Sequence, residues 1–501
     1  MLEDEITYSI LKEFPFEPTV EQSRAVHVFA GFLTDRASRV AMILRGSAGT
    51  GKTVLAAAIV RAMTRMKQKV LLLAPTGRAA KVFALNSGHE AFTIHRKIYR
   101  ERSFSGPSGA FNLNDNLHAD TLFIVDEASM ISNSGHEGSA FGSGRLLDDL
   151  IQYVCQGRNC RVLFVGDRAQ LPPVGEKESP ALSADVLRAY GLSVHECDIE
   201  EVVRQDKRSG ILYNATNIRN LITSLNGAPD FSDIQHHMSS SADASVAPDT
   251  PSSLMEMIKV DDSFPDVTVV PGSELIEQLS SSYGTAGMDD TIVITRSNKR
   301  ANIYNQGIRN TILDREEALS TGDILMVVRN KYLDPKLKAP VPFIANGDRG
   351  IVRRVSYYRE LYGFHFADVS LEFPDYDCFE LDTTVILDTL TSESPALTHQ
   401  QNEQLFNAVM EDYSDLPLKS DRMKRIREDD YYNALQVKFG YAVTCHKAQG
   451  GQWTDVYIDQ GYMTDDMVTP DYLHWLYTAF TRATGHLYLV NWPSKQLRYD
   501  D

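Results

Sequence analysis

The chain has 501 residues, of which 43% are hydrophobic, and a formal net charge of −17. This length and composition are typical of a globular protein with two or more domains, and the acidic balance argues against general affinity for nucleic acid, although a local basic groove is compatible with it. The five cysteines are scattered without a CxxC pair, which argues against a disulfide framework or a zinc module. No apolar run approaches the roughly 18 residues of a membrane span and the first residues are acidic, so we expect a cytoplasmic protein without a membrane partner.

The strongest local pattern is a glycine-rich loop near the N-terminus. An apolar run at 40–44 leads into GSAGTGKT and then into the helix-like segment VLAAAIVRAM. Such a loop wraps phosphates with backbone N–H groups, while a lysine reaches the outer phosphates and a hydroxyl binds magnesium. A plain glycine turn before a helix is the alternative. The predicted phosphate site consists of Gly46, Ser47, Ala48, Gly49, Thr50, Gly51, Lys52 and Thr53.

Further apolar strands end in polar residues, as in open parallel sheets that bind ligands at one edge. The run 121–125 leads into Asp126 and Glu127, a pair suited to a magnesium-side carboxylate and a base for an attacking water. A helix cap is the alternative for this pair. The run 161–165 leads into GDRAQLPPVG, in which the Gln170 amide could sense a γ-phosphate. The series predicts an α/β fold with parallel sheets.

Other segments predict organisation rather than chemistry. A Gly-Pro-Ser-Gly turn signal between Phe104 and Phe111 predicts a short hairpin. Residues 226–265 are rich in Ser, Asp, Ala and Pro and predict a mobile loop or linker. From residue 322 onward β-type runs dominate, and the charged tract 397–432 predicts helices with a solvated face.

The stretch GYAVTCHKAQGGQW carries reactive side chains without defining a reaction. Cys445, His446 and Lys447 are consecutive. A metal site would need further spaced ligands, and a nucleophilic cysteine would need a positioned base. The stretch therefore has to be interpreted with the rest of the chain.

The motifs stand in the order GSAGTGKT, APTGRAAK, DEAS, GDRAQLPPVG, VVRQ, YAVTCHKAQG and LYTAFTRA. In this order they resemble the motif series of superfamily 1 helicases, and more narrowly the RecD and Dda branch, which moves 5′ to 3′ on single-stranded DNA. The resemblance implies two RecA-like P-loop motor domains. The implied ranges are 1–196 for domain 1A with a hairpin insert at about 100–118, 197–321 and 441–501 for domain 2A, and 322–440 for an SH3-like 2B insert.

The same resemblance implies roles at an ATP site. Catalysis would rest on Lys52, Glu127, Gln170, Arg204 and Arg482, with ATP and Mg²⁺ bound and the metal held by Thr53 and Asp126. The two arginines would reach the γ-phosphate from the second motor domain, and Gln22 would read adenine. An exposed helix position for Gln22 and surface positions for the arginines are the alternatives.

A DNA track is also implied. Its candidate residues are Pro75, Thr76, His95, Phe104, Phe111, Asn298, Thr444, His446, Lys447 and Gln449. The hairpin phenylalanines would stack on the first separated bases, although aromatics that merely cover the domain are an equal alternative. A structural histidine at 95 and a solvated helix start at 298 remain alternatives, and Cys445 becomes a packing residue.

We therefore expect an ATP-dependent DNA helicase that moves 5′ to 3′ and acts as a monomer on single-stranded and forked duplex DNA. Repair or recombination proteins are candidate partners. An RNA helicase of the same superfamily, or a DNA-stimulated ATPase switch that does not unwind, remains an alternative. A small-molecule P-loop kinase is disfavoured because it would not need Gln170, Arg204 and Arg482 together.

Overall fold

The computed structural model describes residues 2–101, 111–135, 141–202, 209–226, 257–260, 263–333, 337, 339–341, 343–464 and 467–499. The first part of the chain alternates strands and helices. In order these are α1 (Leu2–Leu11), α2 (Val20–Thr34), β1 (Val40–Gly46), α3 (Lys52–Arg65), β2 (Lys69–Ala74), α4 (Gly77–Ser87), β3 (Ala91–Thr93), α5 (Ile94–Ile98), β4 (Tyr99–Glu101), β5 (Phe111–Leu113), β6 (Thr121–Val125), α6 (Leu146–Gln156), β7 (Arg161–Gly166), α7 (Ala184–Ala189), β8 (Ser193–Ile199) and α8 (Gly210–Asn226).

The first sheet is parallel, with strand order β3-β2-β6-β7-β1-β8. Its strands are apolar on both faces because helices cover both sides. Along β1, Val40, Met42 and Leu44 pack into one core, while Ala41 and Ile43 pack into the other. The period of two along an extended strand produces this division. The carboxyl ends of these strands form the edge at which the candidate site lies.

The second part of the chain contains a second sheet and a barrel. Its elements are β9 (Ile258–Lys259), β10 (Val267–Val270), α9 (Leu275–Thr285), β11 (Thr291–Thr295), α10 (Asn298–Gly307), β12 (Ile324–Val327), β13 (Lys331–Tyr332), β14 (Phe343–Ile344), β15 (Arg349–Leu361), β16 (Phe364–Phe373), β17 (Phe379–Ile386), α11 (Asp388–Thr391), α12 (His399–Asp412), α13 (Lys419–Glu428), β18 (Leu435–Phe439), β19 (Ala442–Thr444), α14 (Cys445–Ala448), β20 (Trp453–Asp459), α15 (Pro470–Phe480), β21 (Ala483–Val490) and β22 (Leu497–Arg498).

The second sheet is also parallel, with strand order β10-β21-β20-β11-β19. Helices α8 and α15 pack together against it, and Ile218, Leu476 and Ile458 share its buried core. The chain leaves this sheet after β11 and returns at β19. Helix α8 therefore belongs to the second sheet although it follows the first sheet directly in the chain.

A closed barrel of β12, β15, β16, β17 and β18 fills the excursion between β11 and β19. Its neighbouring strands are antiparallel except β17 and β18, which are parallel. Helices α12 and α13 lie in the tract that the sequence predicts to be helical. The barrel occupies the β-rich region predicted from residue 322 onward, and its identity as an SH3-like subdomain stays a prediction.

Strands β4 and β5 pair antiparallel, with Tyr99 opposite Leu113. They flank the predicted turn. Phe104, which precedes the Gly-Pro-Ser-Gly signal, lies outside the described residues. Most of the predicted loop at 226–265 also lies outside them.

The predicted α/β fold with parallel sheets is confirmed. Within the described ranges, no helix combines the length and the apolar character that crossing a bilayer requires.

Candidate functional site

The glycine-rich loop joins β1 to the N-terminus of α3. Gly49 and Gly51 have φ of 81° and 79°, a left-handed conformation that glycine adopts without a Cβ clash. A Cβ on Gly46 would lie 2.7 Å from the Thr50 hydroxyl oxygen, so the loop is closed too tightly for a side chain there. The loop backbone therefore has the tight curvature that directs amide groups toward a phosphate at a helix N-terminus.

The Lys52 ammonium lies over this loop. Its Nζ donates hydrogen bonds to the carbonyl oxygens of Gly46 at 2.6 Å and Ser47 at 2.7 Å. The same Nζ is 3.9 Å from Asp167 Oδ2, at the end of β7. A lysine held this way carries the one positive charge that the motif itself supplies to a phosphate.

Asp126 and Glu127 follow β6 at the same edge of the sheet. The Asp126 Oδ1 accepts a hydrogen bond from the Glu127 amide at 2.9 Å. Burial, together with the negative charge of Glu127, raises the pKa of Asp126, while Lys52 opposes the shift. Glu127 has φ of 51° and ψ of 38°, a left-handed conformation that a glutamate adopts only when its surroundings hold it. The end of β6 therefore determines the position of both carboxylates. Glu127 immediately precedes a short 3₁₀ turn.

These donors fit Mg²⁺ bound together with a phosphate. Magnesium in proteins is held by one or two carboxylates plus substrate oxygens rather than by an all-protein cage. The described part of the chain contains no cluster of three or more His, Cys, Asp or Glu side chains that could hold a metal ion. The raised pKa of Asp126 marks a carboxylate that a nearby cation would stabilise in its charged form.

Tyr477 on α15 bridges the two sheets at this point, which the sequence did not predict. Its hydroxyl donates to Asp167 Oδ2 at 2.7 Å and accepts a hydrogen bond from the Ala48 amide at 2.9 Å. Burial and the Asp167 carboxylate raise the pKa of the phenol, so it remains protonated and can donate. A side chain from the second sheet is therefore hydrogen-bonded to the phosphate loop itself.

The loop after β7 is bonded to the second sheet at further points. The Leu171 amide donates to the Thr478 hydroxyl at 2.7 Å, and the Leu171 carbonyl accepts from Gln449 Nε2 at 2.9 Å. His474 Nδ1 lies 3.0 Å from the Ala169 carbonyl oxygen. Gln170, between these contacts, is 6% exposed. The predicted sensor residue thus lies where the two parts of the molecule touch.

Of the two arginines predicted to reach the γ-phosphate, the structure describes Arg482 but not Arg204. Arg482 is buried, and its guanidinium donates to the carbonyls of Thr478 and Gly451, both at 3.1 Å, and to the Thr481 hydroxyl at 3.0 Å. These partners belong to the second sheet and its loops, so in this arrangement the structure does not bring Arg482 to the phosphate loop. Arg204 lies outside the described residues.

Gln22 is fully buried rather than exposed. Its Nε2 donates to the Thr50 carbonyl at 3.0 Å, and its Oε1 accepts from the Thr19 amide at 3.1 Å in the capping box of α2. The structure therefore brings Gln22 against the phosphate loop with both ends of its amide engaged.

The first-domain candidates for the DNA track differ in chemistry. Pro75 and Thr76 follow β2, and the Thr76 hydroxyl caps α4 by accepting from the Ala79 amide at 3.2 Å. A Cβ on Gly450 would lie 3.3 Å from the Thr76 hydroxyl, so this loop meets the second domain. The His95 ring packs on Phe141, with ring centroids 5.0 Å apart.

Burial lowers the pKa of His95 to about 4. The imidazole is therefore neutral at pH 7, and any contact with a nucleic acid would be apolar or a neutral hydrogen bond rather than an ion pair.

Phe111 at the start of β5 lies in an aromatic stack that joins the hairpin to the barrel region. Its ring centroid is 4.7 Å from Phe141 and 5.0 Å from Tyr332, with interplanar angles of 19° and 23°. Tyr332 belongs to β13, in the excursion between β11 and β19.

The second-domain candidates lie at the carboxyl ends of β11 and β19. Asn298 begins α10, Thr444 is the N-cap of α14, and His446 is exposed. Burial and the charge of Lys438 lower the pKa of Lys447 to about 8, and its Nζ has no hydrogen-bond partner within the described residues.

Cys445 is fully buried, and its thiol donates to the Trp475 carbonyl at 3.5 Å. Burial raises its pKa to about 12, which fits a packing residue rather than a nucleophile.

Two stretches of the chain match known protein families. The family described as "AAA domain" matches residues 19–220, and the family described as "UvrD-like helicase C-terminal domain" matches residues 439–490. The ATP-dependent RecD2 DNA helicase of Deinococcus radiodurans is 33% identical over 145 residues, which are 29% of this chain and 18% of that relative. The ATP-dependent DNA helicase dda of Enterobacteria phage T4 is 27% identical over 180 residues, which are 35% of this chain and 37% of that relative.

The chain thus aligns with well under half the length of these curated relatives. Among solved structures, the Pif1 helicase from Bacteroides in complex with ADP-AlF3 and ssDNA aligns over 97% of this chain and 95% of that chain, at 14% identity and a TM-score of 0.45.

The fold and the phosphate loop define a P-loop protein built on parallel α/β sheets. Within that class the chain is similar to superfamily 1 helicases of the RecD and Dda branch, and the resemblance predicted from the motif order is confirmed.

Proposed function

We propose that this chain is an ATP-dependent helicase that moves 5′ to 3′ on single-stranded DNA and unwinds duplex. The observation that carries the proposal is the contact between the sheets at the phosphate loop, where Tyr477 links the Ala48 amide to Asp167. A nucleotide bound at this loop would alter the contact between the two sheet-containing parts of the molecule, and a motor needs such a nucleotide-dependent contact.

At the ATP site, Lys52 would bind the outer phosphates and Glu127 would accept a proton from the attacking water at its carboxylate. Thr53 and Asp126 would hold Mg²⁺, which when bound neutralises charge on the phosphates. Gln170 would sense the γ-phosphate. Arg204 and Arg482 would approach when the cleft closes, and Arg482 would first have to release its carbonyl partners.

The proposed DNA track runs across both domains and combines the residues predicted for it. Gln449 supports coupling between track and ATP site, because its amide already donates to the Leu171 carbonyl beside Gln170. The Lys447 ammonium, whose Nζ has no hydrogen-bond partner among the described residues, supports a phosphate contact. We propose the motor-domain boundaries 1–196, 197–321 and 441–501, with the barrel region 322–440 closing over DNA. A monomeric state, a cytoplasmic location, and repair or recombination partners stay predictions.

Single-stranded DNA is expected to stimulate ATP hydrolysis more than RNA of the same sequence does. The binding that underlies this effect should weaken with salt and show little sequence preference, because strand tracking rests on phosphate charge and base stacking. Steady-state phosphate release with DNA, RNA and no polymer measures the preference. Stronger stimulation by RNA would indicate the RNA helicase alternative, and stimulation without unwinding would indicate the switch alternative.

Replacing Phe111 with alanine is expected to lower duplex unwinding by about tenfold while single-stranded DNA still stimulates ATP hydrolysis. A ring that stacks on a separated base contributes roughly 1–3 kcal/mol, and this ring also joins the hairpin to Tyr332. Unwinding and hydrolysis are measured on the same preparation, with Tyr8→Ala, an exposed aromatic on α1, as the control.

If the double variant Phe104→Ala/Phe111→Ala unwinds like the wild type with unchanged hydrolysis, the hairpin is not a separating pin. A lower thermal stability of Phe111→Ala with no selective loss of unwinding would indicate aromatics that only cover the domain.

A further inference from the structure

Helix α8 carries an arginine from the second domain onto the phosphate loop. Its buried residues Ile211, Ala215 and Ile218 belong to the core of the second sheet. On another side of the helix, Leu212 packs against the loop, since a Cβ on Gly49 would lie 3.2 Å from the Leu212 methyl group.

Seven residues further along α8, which is two helical turns, Arg219 faces the same loop. Its Nη1 donates to the Ser47 hydroxyl at 2.6 Å. The contact joins side chains 172 residues apart in the chain.

Among the described residues, the guanidinium of Arg219 has neutral hydrogen-bond partners only. Nη1 bonds to the Ser47 hydroxyl, and Nη2 lies 3.4 Å from the Asn220 amide oxygen. No carboxylate of the described residues forms an ion pair with this guanidinium. A guanidinium has five N–H donors, and a hydrogen bond to a charged phosphate oxygen is about twice as strong as one to a neutral hydroxyl. The arginine is therefore held at the loop by a contact that an anion could replace.

The charge of Arg219 also acts on its neighbour in the cleft. Burial and Asp167 raise the pKa of the Tyr477 phenol, and the nearby positive charge of Arg219 opposes part of that rise. Arg219 and Tyr477 thus approach the loop together from the second domain, at consecutive loop residues Ser47 and Ala48.

We propose that Arg219 is a phosphate-contacting residue that reaches the bound nucleoside triphosphate across the cleft, exchanging the Ser47 hydroxyl for an oxygen of the terminal phosphate. The proposal rests on the function proposed above and adds a residue to its ATP site. It differs from the role given to Arg482, whose donors are engaged within the second domain. A guanidinium at this place would favour a triphosphate over a diphosphate and would help hold the domains together until the terminal phosphate leaves.

The test compares nucleotide affinities of the full chain. Binding of ADP and of adenosine 5′-O-(3-thiotriphosphate), each with Mg²⁺, is measured by calorimetry for the wild type, Arg219→Ala, Arg219→Lys and the control Ser224→Ala. Ser224 is exposed on the same helix, and its hydroxyl bonds only within that helix, to the Leu221 carbonyl, among the described contacts.

Arg219→Ala is expected to weaken triphosphate binding about tenfold or more and ADP binding less than about twofold, because a hydrogen bond to a charged group is lost for one ligand alone. Arg219→Lys should recover part of the preference, and Ser224→Ala should match the wild type.

Equal weakening of triphosphate and ADP binding, or no weakening, would overturn the proposal. An arginine that only stabilises the packing between the domains would not distinguish the two nucleotides. If Arg219→Ala loses its helical circular dichroism signal, the ratio of triphosphate affinity to ADP affinity is compared between Arg219→Gln and Arg219→Lys instead. A wild-type chain that binds neither nucleotide would overturn the proposed function itself. If the wild type binds both nucleotides and Arg219→Ala has the same ratio of triphosphate affinity to ADP affinity, only the role of Arg219 is overturned.

Discussion

Replacing Glu127 with glutamine is expected to lower the rate of ATP hydrolysis by about 10²- to 10⁴-fold, the usual contribution of a general base. Glutamine has nearly the same shape as glutamate but cannot take a proton from water. In the proposed site Lys52 and the loop amides would bind the phosphates independently of this carboxylate, so the affinity for Mg²⁺ and a triphosphate should change by only a few fold.

The expected separation of hydrolysis from binding follows from the geometry at the end of β6. Glu127 is held in a left-handed conformation next to Asp126, with which it shares a sheet edge. Removing its charge should also lower the pKa of Asp126, since the Glu127 carboxylate is the second-largest cause of that shift after burial. The carboxylate of Asp126 would therefore ionise more readily in the variant than in the wild type.

Hydrolysis is measured by phosphate release in the presence of single-stranded DNA, and binding by calorimetry with a thiotriphosphate. Glu5→Gln, an exposed residue of α1, is the matched control for the same chemical change. A Glu127→Gln protein that hydrolyses ATP at the wild-type rate would mean that the acidic pair is a helix cap and that the base lies elsewhere.

The parts of the site that the sequence predicted are local. The phosphate loop needs glycines at positive φ and a lysine one residue into the following helix, so a short segment determines its geometry. The acidic pair after β6 is local for the same reason, since an apolar strand and the residue after it specify the sheet edge. Parallel α/β topology followed from the recurrence of such strands.

The contacts across the cleft could not be predicted in this way. Tyr477 meets Ala48 over a separation of 429 residues, and Arg219 meets Ser47 over 172. No spacing in the sequence encodes these distances, because they depend on how the sheets pack. The available signal was position: Tyr477 lies five residues before Arg482 in LYTAFTRA, close in the chain to a residue already assigned to the cleft.

Residue type alone does not report the environment of a side chain. The DNA contact predicted for His95 stays a prediction; in the structure its ring packs on Tyr99 and Phe141, and burial lowers its pKa to about 4, so that it is neutral at pH 7. An arginine at 482 suggested a γ-phosphate contact, yet carbonyl oxygens of its own domain use its donors. In both cases tertiary packing, which local sequence does not report, decides what the side chain can do in this conformation.

Unwinding of a forked DNA substrate is expected to require a 5′ single-stranded tail. This polarity is what the proposed function implies, because the motif series resembles a branch that moves 5′ to 3′, and an ATP-dependent change that repeats in every cycle would advance the strand in one direction only. A duplex with a 5′ tail should therefore be separated, and the same duplex with only a 3′ tail should remain paired.

The measurement that tests the central claim most directly is this forked-duplex assay with 5′ or 3′ tails, ATP and Mg²⁺, with Lys52→Ala as the control for ATP dependence. Lys52→Ala should separate neither substrate, since it removes the ammonium that lies over the phosphate loop. The account predicts ATP-dependent separation of the 5′-tailed duplex alone. Separation only from a 3′ tail, or separation that persists in Lys52→Ala, would contradict it.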